Sequence, residues 1–357
     1  MDWDALCFSV ATFIAGVFVL DYGADKFIDH TVIAGRRLGV SQTVIALLTA
    51  GAEWEELAVV VAAILQHRSP LALGNVTGST ISNILGAFSL GLLFHPQGLE
   101  FDRSAKIYSA LSFVLTTFFV VLAFFNQLNQ IVGGVLIAIF AFYILSIIYT
   151  IYKGVVSPPE LSDSDSDGES SDSDDGEVHH GPVSETSPLI ESEHAPSSAD
   201  KGSRRSRSLT YHIFQLILGF VSLSLSGYIL SHSAVTIADS LHLSGTVFGL
   251  TVVSFATTLP EKLVAILSGF RGHGGIMAAT TAGSNIFLLT LCVGVIAVAG
   301  DQIQEADNFV SFELVAVWLS SLLFCAVIFL GLGRSAGVVL LVSYLVFLCL
   351  EFTVYRR

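Results

Sequence analysis

Charged residues are scarce in this chain of 357 residues: they make up 13% of it, whereas hydrophobic residues make up 53%. A soluble protein of this length carries about a quarter charged residues, so the composition excludes an ordinary soluble domain. The apolar residues fall into continuous runs of about twenty, separated by short polar breaks, which is typical of a polytopic helical membrane protein. A membrane β-barrel would instead show short segments of alternating hydrophobicity.

Cysteines, basic clusters and enzyme motifs are also sparse or missing. The four cysteines lie in apolar spans without metal-ligand spacing, and we interpret them as small buried hydrophobic residues. Basic residues cluster only at 204–207, so no nucleic-acid partner is indicated. The chain has no P-loop, GxSxG or HExxH motif, and we predict neither an enzyme nor a resident cofactor. The acidic start MDWDALCFSV lacks the basic region of a cleaved signal peptide, so the first span is expected to remain as a helix.

Ten apolar spans can be counted, five before and five after an acidic segment. They lie near residues 4–22, 39–65, 70–95, 105–125, 130–153, 210–231, 243–269, 274–299, 309–331 and 335–354. The sequence therefore predicts an all-α membrane protein with ten transmembrane helices that contact the lipid bilayer.

The two sets of five spans are similar to each other. The second span carries GAEWEEL and the seventh TTLPEKL, while the third opens with GNVTGSTISN and the eighth with TTAGSNIFLL. Glu56 and Gly78 are 22 positions apart, and so are Glu261 and Gly283. An odd number of spans in each repeat makes the second copy enter the membrane from the opposite side. We therefore predict two inverted five-helix repeats with substrate sites between them near the midplane.

The shared spacing fixes which residues correspond. Glu56 matches Glu261, and the remaining pairs of interest are Glu53 with Thr258, Ser79 with Ser284, and Asn83 with Leu288. On this register we expect residues 1–153 to form the first repeat and residues 209–357 to form the second.

The segment 154–208 separates the repeats and has a different composition. It holds 13 acidic and 4 basic residues and is rich in Ser and Asp, so we expect a disordered acidic loop. Lysines and arginines of the short loops favour a cytoplasmic position for it. Within it, Glu185, Leu189 and Ile190 fit the acidic dileucine pattern that sorting adaptors bind. This pattern favours a vacuolar or lysosomal-type endomembrane over the plasma membrane.

Three carboxylates, those of Glu53, Glu55 and Glu56, interrupt the second apolar span. A charge at the centre of a bilayer costs about 2.5–3.5 kcal/mol on insertion scales, so acids inside the membrane are functional candidates by default. Hard cations such as calcium take six or more oxygen ligands, several of them anionic. Glu56 and Glu261 would each supply one carboxylate from one repeat. The neutral oxygens are expected from Asn83, Ser79, Thr49, Thr257, Thr258 and Ser284.

Three further features accompany the carboxylates. Pro260 removes a backbone donor just before Glu261 and disfavours the helical conformation at Leu259, so a broken helix is expected there. Gly74 and Gly78 predict close helix approach. Lys262 either pairs with a glutamate in place of one bound cation or extends toward the nearer interface, and the second arrangement is expected.

These motifs carry a resemblance to a known group of proteins. The segments GADKFIDHTVIAGRRLGVS, GAEWEEL, GNVTGSTISN, FATTLPE and AGSNIF resemble the two alpha repeats of the sodium/calcium exchanger membrane region in the cation/calcium antiporter superfamily. The resemblance implies a ten-helix inverted-repeat antiporter that moves calcium against sodium, or against protons in some branches, by alternating access. It also implies that the two central glutamates of the family correspond to Glu56 and Glu261.

The chain departs from the family pattern in both repeats, and Glu55 stands where the first motif of the family has a proline. A Thr-Ser pair is replaced by Ala52 and Glu53, and the polar or acidic residue expected four positions after Ser284 is Leu288. Our hypothesis is that Glu53 is a third metal ligand and replaces the anionic charge lost at Leu288. Glu55 has no assigned role beyond facing another partner or a water-filled vestibule.

Several functions remain open at this point. The favoured one exchanges calcium for sodium, and the alternative exchanges calcium or another divalent cation for protons. A non-transporting membrane scaffold would explain the altered motifs but not the retained Glu56 and Glu261. A channel would not require paired, inverted repeats.

Overall fold

The structure is a computed structural model that describes residues 3–37, 53–94, 101, 103–152, 209–270, 272, 274–299 and 311–354. Every regular element among these residues is helical. Thr49 and the whole of segment 154–208, with Glu185, Leu189 and Ile190, lie outside the described residues, so the predictions made for them remain predictions.

Among the described residues, ten helical elements follow one another. They are α1 (Trp3–Arg37), α2 (Trp54–Leu65), α3 (Ser69–Phe94), α4 (Arg103–Phe124), α5 (Gln130–Tyr152), α6 (Leu209–Ser240), α7 in two parts (α7a, Gly245–Thr257, and α7b, Leu259–Phe270), α8 (Gly274–Ala299), α9 (Ser311–Leu330) and α10 (Arg334–Thr353). Among the described residues, eight helices are long and apolar enough to cross a membrane, and the bent α7 pair makes a ninth. Helix α2 is the described part of the predicted second span.

Helices α1 and α6 are longer than the sequence predicts. The predicted ends at residues 22 and 231 are wrong, because the helices continue to Arg37 and Ser240 through polar segments. At 1.5 Å per residue, the 35 residues of α1 extend about 52 Å, well beyond a hydrocarbon core of about 30 Å. The sequence predicts the end of each span where polar residues begin, but a helix keeps its backbone hydrogen bonds where it leaves the hydrocarbon core.

Helices α1 and α6 pack against each other in opposite directions. Gly16 of α1 lies against Leu230 of α6, whereas Phe27 of α1 lies against Gly219. Residue numbers thus rise along α1 as they fall along α6. This is the arrangement expected for the first helices of two inverted repeats.

Helices α3 and α8 share a local distortion at matching positions. Helix α3 contains a π-helical segment at Ser82–Phe88, and α8 contains one at Leu288–Cys292. In the repeat register Asn83 matches Leu288, so the two segments overlap, although the first starts three residues after Ser79 and the second four residues after Ser284. π-Helical turns inside α-helices often lie at functional sites.

Helix α3 of the first repeat lies directly against α7a of the second. A Cβ atom added to Gly74 would collide with the backbone of Thr246, and one added to Gly78 would collide with the carbonyl oxygen of Leu250. Glycine is needed at both positions because no side chain fits between the two backbones. This contact brings the polar face of α3 next to the break in α7.

Candidate cation-binding site

Helix α7 breaks at Thr258, where its axis turns by 50° between α7a and α7b. Pro260 occupies the second position of α7b, where its missing N–H costs no helical hydrogen bond. In the first repeat, Glu53 lies just before the start of α2 with non-helical backbone angles (φ −81°, ψ 77°). The break in α7 is the one predicted from Pro260. Because Glu53 matches Thr258, a helix that carries an acid in its first turn starts at the same point of each repeat.

A stripe of polar side chains on α3 is buried beside these helix starts. Asn75, Ser79 and Asn83 follow one another at intervals of four residues, which places them on one face of the helix. All three are 1% exposed or less. The Asn75 amide and the Ser79 hydroxyl have no partner in hydrogen-bonding geometry among the described residues. Buried polar groups are normally paired, so oxygens in this state are available to a ligand.

Two carboxylates of α2 lie next to this stripe. Glu56 is completely buried, and neither of its carboxylate oxygens has a donor in hydrogen-bonding geometry among the described residues. Glu53 accepts a hydrogen bond of 3.0 Å from the side-chain amide of Asn83. Its carboxyl group also adjoins Glu56 and the hydroxyl of Ser284, which belongs to the second repeat.

The third carboxylate, that of Glu261, opens onto a small pocket between the repeats. The cavity is small, about 10 Å³, and Asn83, Glu261 and Ser284 all contribute to its wall. Glu261 is half-buried in the first turn of α7b and lies within electrostatic range of Glu53 and Glu56. An acid, an amide and a hydroxyl therefore converge here from both repeats.

Asn285 is a site residue that the sequence analysis missed. Its side-chain oxygen accepts a bond of 3.4 Å from Asn83, and its amide donates to the backbone oxygen of Thr80 at 3.4 Å. The pair of asparagines thus joins α3 to α8 across the repeats. Asn285 follows Ser284 within AGSNIF, and its amide side chain is the signal in the sequence that could have identified it as a site residue.

Thr257 and Thr258, two predicted ligands, are both buried at the break in α7. The hydroxyl of Thr257 donates to the carbonyl of Val253 at 3.2 Å, within its own helix. The hydroxyl of Thr258 donates to the backbone oxygen of Ser254 at 2.6 Å and also accepts a hydrogen bond from the ammonium group of Lys262. The oxygens of Thr258 therefore already face a cation, which is the ammonium group of Lys262.

The expectation that Lys262 extends toward the membrane interface is wrong. The residue is 7% exposed, and its ammonium nitrogen donates to Ser82 Oγ at 2.9 Å and to the backbone oxygen of Thr258 at 3.1 Å. It also lies 4.7 Å from the centre of the Phe255 ring. The side chain turns inward because these oxygens accept the hydrogen bonds of the ammonium group, whereas apolar side chains on α7b cannot accept them.

Leu288 supplies no polar atom to the site, as its side chain requires. It is fully buried in an apolar cluster with Phe287 and Cys292. Glu55 is half-buried and lies within electrostatic range of Asp21 and Asp25 on α1 as well as Glu261. It therefore interacts both with the acids of α1 and with Glu261 and Glu53, although it is not part of the stripe on α3.

The arrangement suits a hard cation bound by mixed oxygen ligands. Among the residues that the structure describes, no three carboxylate, imidazole or thiol groups lie close enough to hold an ion between them. A bound ion would instead combine carboxylates with neutral amide and hydroxyl oxygens, the donors that calcium and sodium accept. Unpaired carboxylates inside a membrane protein are otherwise costly.

The fold and the buried carboxylates define a multi-pass membrane protein of the ion-transporter class. The sequence profile of the sodium/calcium exchanger protein family matches residues 8–149 and, a second time, residues 211–353. The chain therefore belongs to the sodium/calcium exchanger protein family, as the resemblance predicted.

Individual relatives are distant but cover nearly the full length. The sodium/calcium exchanger MaX1 of Methanosarcina acetivorans is 26% identical over 363 aligned residues, which cover 95% of this chain and 97% of the relative. The putative antiporter CaxA of Alkalimonas amylolytica is 25% identical over 340 residues, covering 93% of this chain and 95% of the relative.

Solved structures of the sodium-calcium exchanger NCX_Mj share the fold. One of them, soaked with Na+ and Sr2+, superposes with a TM-score of 0.56 at 21% identity, and the match covers 96% of this chain and 97% of the other. The predicted fold class is thereby confirmed: the protein is all-α, with ten helices in two inverted five-helix repeats.

Proposed function

We propose that this protein is a secondary active antiporter that moves Ca2+ across a membrane in exchange for Na+ by alternating access. The observation that carries the proposal is the completely buried carboxylate of Glu56, which has no donor in hydrogen-bonding geometry among the described residues. A buried carboxylate in this state needs a positive charge, either a bound cation or a proton, to offset its desolvation. Membership of the exchanger family supports calcium and sodium as the cations.

The position of the candidate site between the two repeats supports exchange by alternating access. The site lies between α2 and α3 of the first repeat and α7 and α8 of the second, at the start of α2 and at the break of α7, which are related by the repeat register. Rocking one repeat against the other would expose such a site to either side in turn. Glu56, Glu53 and Glu261 supply charge, while Asn83, Ser79 and Ser284 supply neutral oxygens.

The coupling ion is tested by calcium uptake into proteoliposomes containing the full chain. Radioactive calcium uptake is driven separately by an outward sodium gradient and by an outward proton gradient. We expect uptake with the sodium gradient that is lost in Glu56→Gln and Glu261→Gln. Uptake driven by protons alone would favour the proton-coupled alternative, and uptake indifferent to both gradients and both substitutions would exclude an antiporter.

A further inference from the structure

Lys262 is the one lysine or arginine that is buried among the residues whose burial the structure describes. Its ammonium nitrogen has three oxygen acceptors: Ser82 Oγ, Thr258 Oγ1 and the backbone oxygen of Thr258. An ammonium group has three N–H donors, so every donor has an acceptor and the group is held in one place. The face of the Phe255 ring covers a further side of the ammonium at 4.7 Å from its centroid.

The oxygens around this ammonium come from both repeats and are themselves oriented. Ser82 opens the π-helical segment of α3, whereas Thr258 lies at the break of α7. The hydroxyls of Ser82 and Thr258 are 2.9 Å apart, and the phenol of Tyr344 donates to Ser82 at 3.1 Å. Two hydroxyls and a carbonyl at a broken helix are ligands that a sodium ion would accept.

The charge of Lys262 acts on the transport site itself. Its ammonium interacts electrostatically with the carboxylates of Glu261, Glu56 and Glu53. Three ionised carboxylates carry three negative charges, and the ammonium offsets one of them. The two charges that remain equal those of one calcium ion or of two monovalent cations.

We propose that Lys262 is a tethered cation that permanently occupies one monovalent-ion position of this site, so that one Ca2+ exchanges for two Na+ without net charge movement. The proposal rests on the proposed exchange function and specifies its stoichiometry. Lys262 thereby determines how many ions are carried, although it does not leave the protein. Its neighbour Glu261 remains a ligand for the transported ions.

The test measures the calcium gradient that a fixed sodium gradient just balances in proteoliposomes whose membrane potential is clamped. If two sodium ions exchange for each calcium ion, a tenfold sodium ratio balances roughly a hundredfold calcium ratio, and this calcium ratio does not depend on the membrane potential. If three sodium ions exchange for each calcium ion, every 100 mV of membrane potential shifts the balancing calcium ratio about fifty-fold, because one net charge crosses in each cycle. The wild type is expected to follow the first case.

The variant Lys262→Met keeps the length of the side chain and removes its charge. We expect it to admit a third sodium ion, so that its balancing calcium ratio rises about tenfold at the same sodium ratio and becomes sensitive to the potential. Lys106→Met, a partly exposed lysine near the start of α4, is the matched control and should behave like the wild type.

Two results would overturn the inference. One is a wild type that exchanges three sodium ions for each calcium ion, and the other is a Lys262→Met variant with the same sodium-to-calcium stoichiometry as the wild type. If Lys262→Met does not fold, the voltage dependence of the wild type alone gives the answer. A wild type without any sodium-driven calcium flux overturns the proposed exchange function and this inference with it.

Discussion

The side-chain amide of Asn83, in the π-helical segment of α3, donates a 3.0 Å hydrogen bond to a carboxylate oxygen of Glu53 before α2. The counterpart of Asn83 in the second repeat is Leu288, which is buried among apolar residues and offers no oxygen. The bond therefore fixes a carboxylate on the first-repeat side of a site whose second-repeat side has lost a polar group. Ser284 adjoins the same carboxylate from across the repeat boundary.

From this relationship we predict that Glu53→Gln weakens calcium binding. The substitution keeps the size of the side chain and removes one of three charges, and calcium affinity depends strongly on the number of charged ligands. We expect the Kd for calcium, measured by titration calorimetry in detergent, to rise about tenfold or more. Sodium-driven calcium uptake should fall with it.

Glu55→Gln is the matched control for this experiment. It removes a neighbouring carboxylate that lies within range of Asp21 and Asp25 on α1 and is only half-buried. Its effect on calcium affinity should be several-fold smaller, because a partly exposed charge is screened by water. Equal effects of the two substitutions would contradict a direct ligand role for Glu53.

A second prediction concerns stability in the absence of transported ions. Glu56 is fully buried without a donor in bonding geometry among the described residues, so its charge destabilises the ion-free protein. Glu56→Gln should therefore raise the thermal unfolding temperature without calcium. It should also lose most of the stabilisation that calcium gives the wild type, which is about 2.7 kcal/mol at a hundred times Kd.

Glu351→Gln provides the comparison for Glu56. Glu351 is equally buried but lies in the last turn of α10, where it makes other contacts. Calcium should still stabilise this variant, as monitored by unfolding in detergent. A calcium response that survives in Glu56→Gln and disappears in Glu351→Gln would place the ion elsewhere.

The contact between α3 and α7a yields a third prediction. A Cβ atom on Gly78 would collide with the Leu250 carbonyl and with Ser254, so Gly78→Ala should destabilise the protein by about 1–3 kcal/mol. Gly134→Ala in α5 is the control, because nothing lies within 4 Å of its added methyl group. Thermal unfolding of both variants tests the contact, and equal stability would argue against the close approach of the two helices.

A fourth prediction concerns the location of the protein in the cell. We propose that Glu185, Leu189 and Ile190 bind a sorting adaptor from a cytoplasmic loop and direct the protein to a vacuolar or lysosomal-type membrane. Leu189→Ala combined with Ile190→Ala should then shift a fluorescently tagged protein to the plasma membrane. Pro188→Ala, within the same segment, should leave its location unchanged. A double variant that stays in place would remove the basis for this signal.

Much of the fold could be predicted because the membrane limits what a chain can do. Every backbone polar group in the hydrocarbon core needs an internal partner, so long apolar runs become helices. The equal spacing from Glu56 to Gly78 and from Glu261 to Gly283 then revealed the repeats. The ends of α1 and α6 could not be predicted in this way, because beyond the core polar residues no longer oppose a helix.

The candidate site was predictable in part for a similar reason. Acids inside an apolar span stand out, so Glu53, Glu56 and Glu261 could be named from the sequence alone. Asn285 was overlooked because an amide costs much less in a membrane than a charge and so gives a weaker signal. Its contact with Asn83 depends on how α3 and α8 pack.

The sequence by itself thus determined the class of the protein, the ten helices, the repeat register and the acids, since each follows from the cost of placing polar groups in lipid. Only the tertiary structure decided the direction of Lys262. Along α7b the side chain faces either outward or inward, and the choice depends on oxygens of Ser82 and Thr258 that belong to different repeats. A contact across 180 positions of the chain has no counterpart in local sequence, because it exists only once the two repeats have packed together.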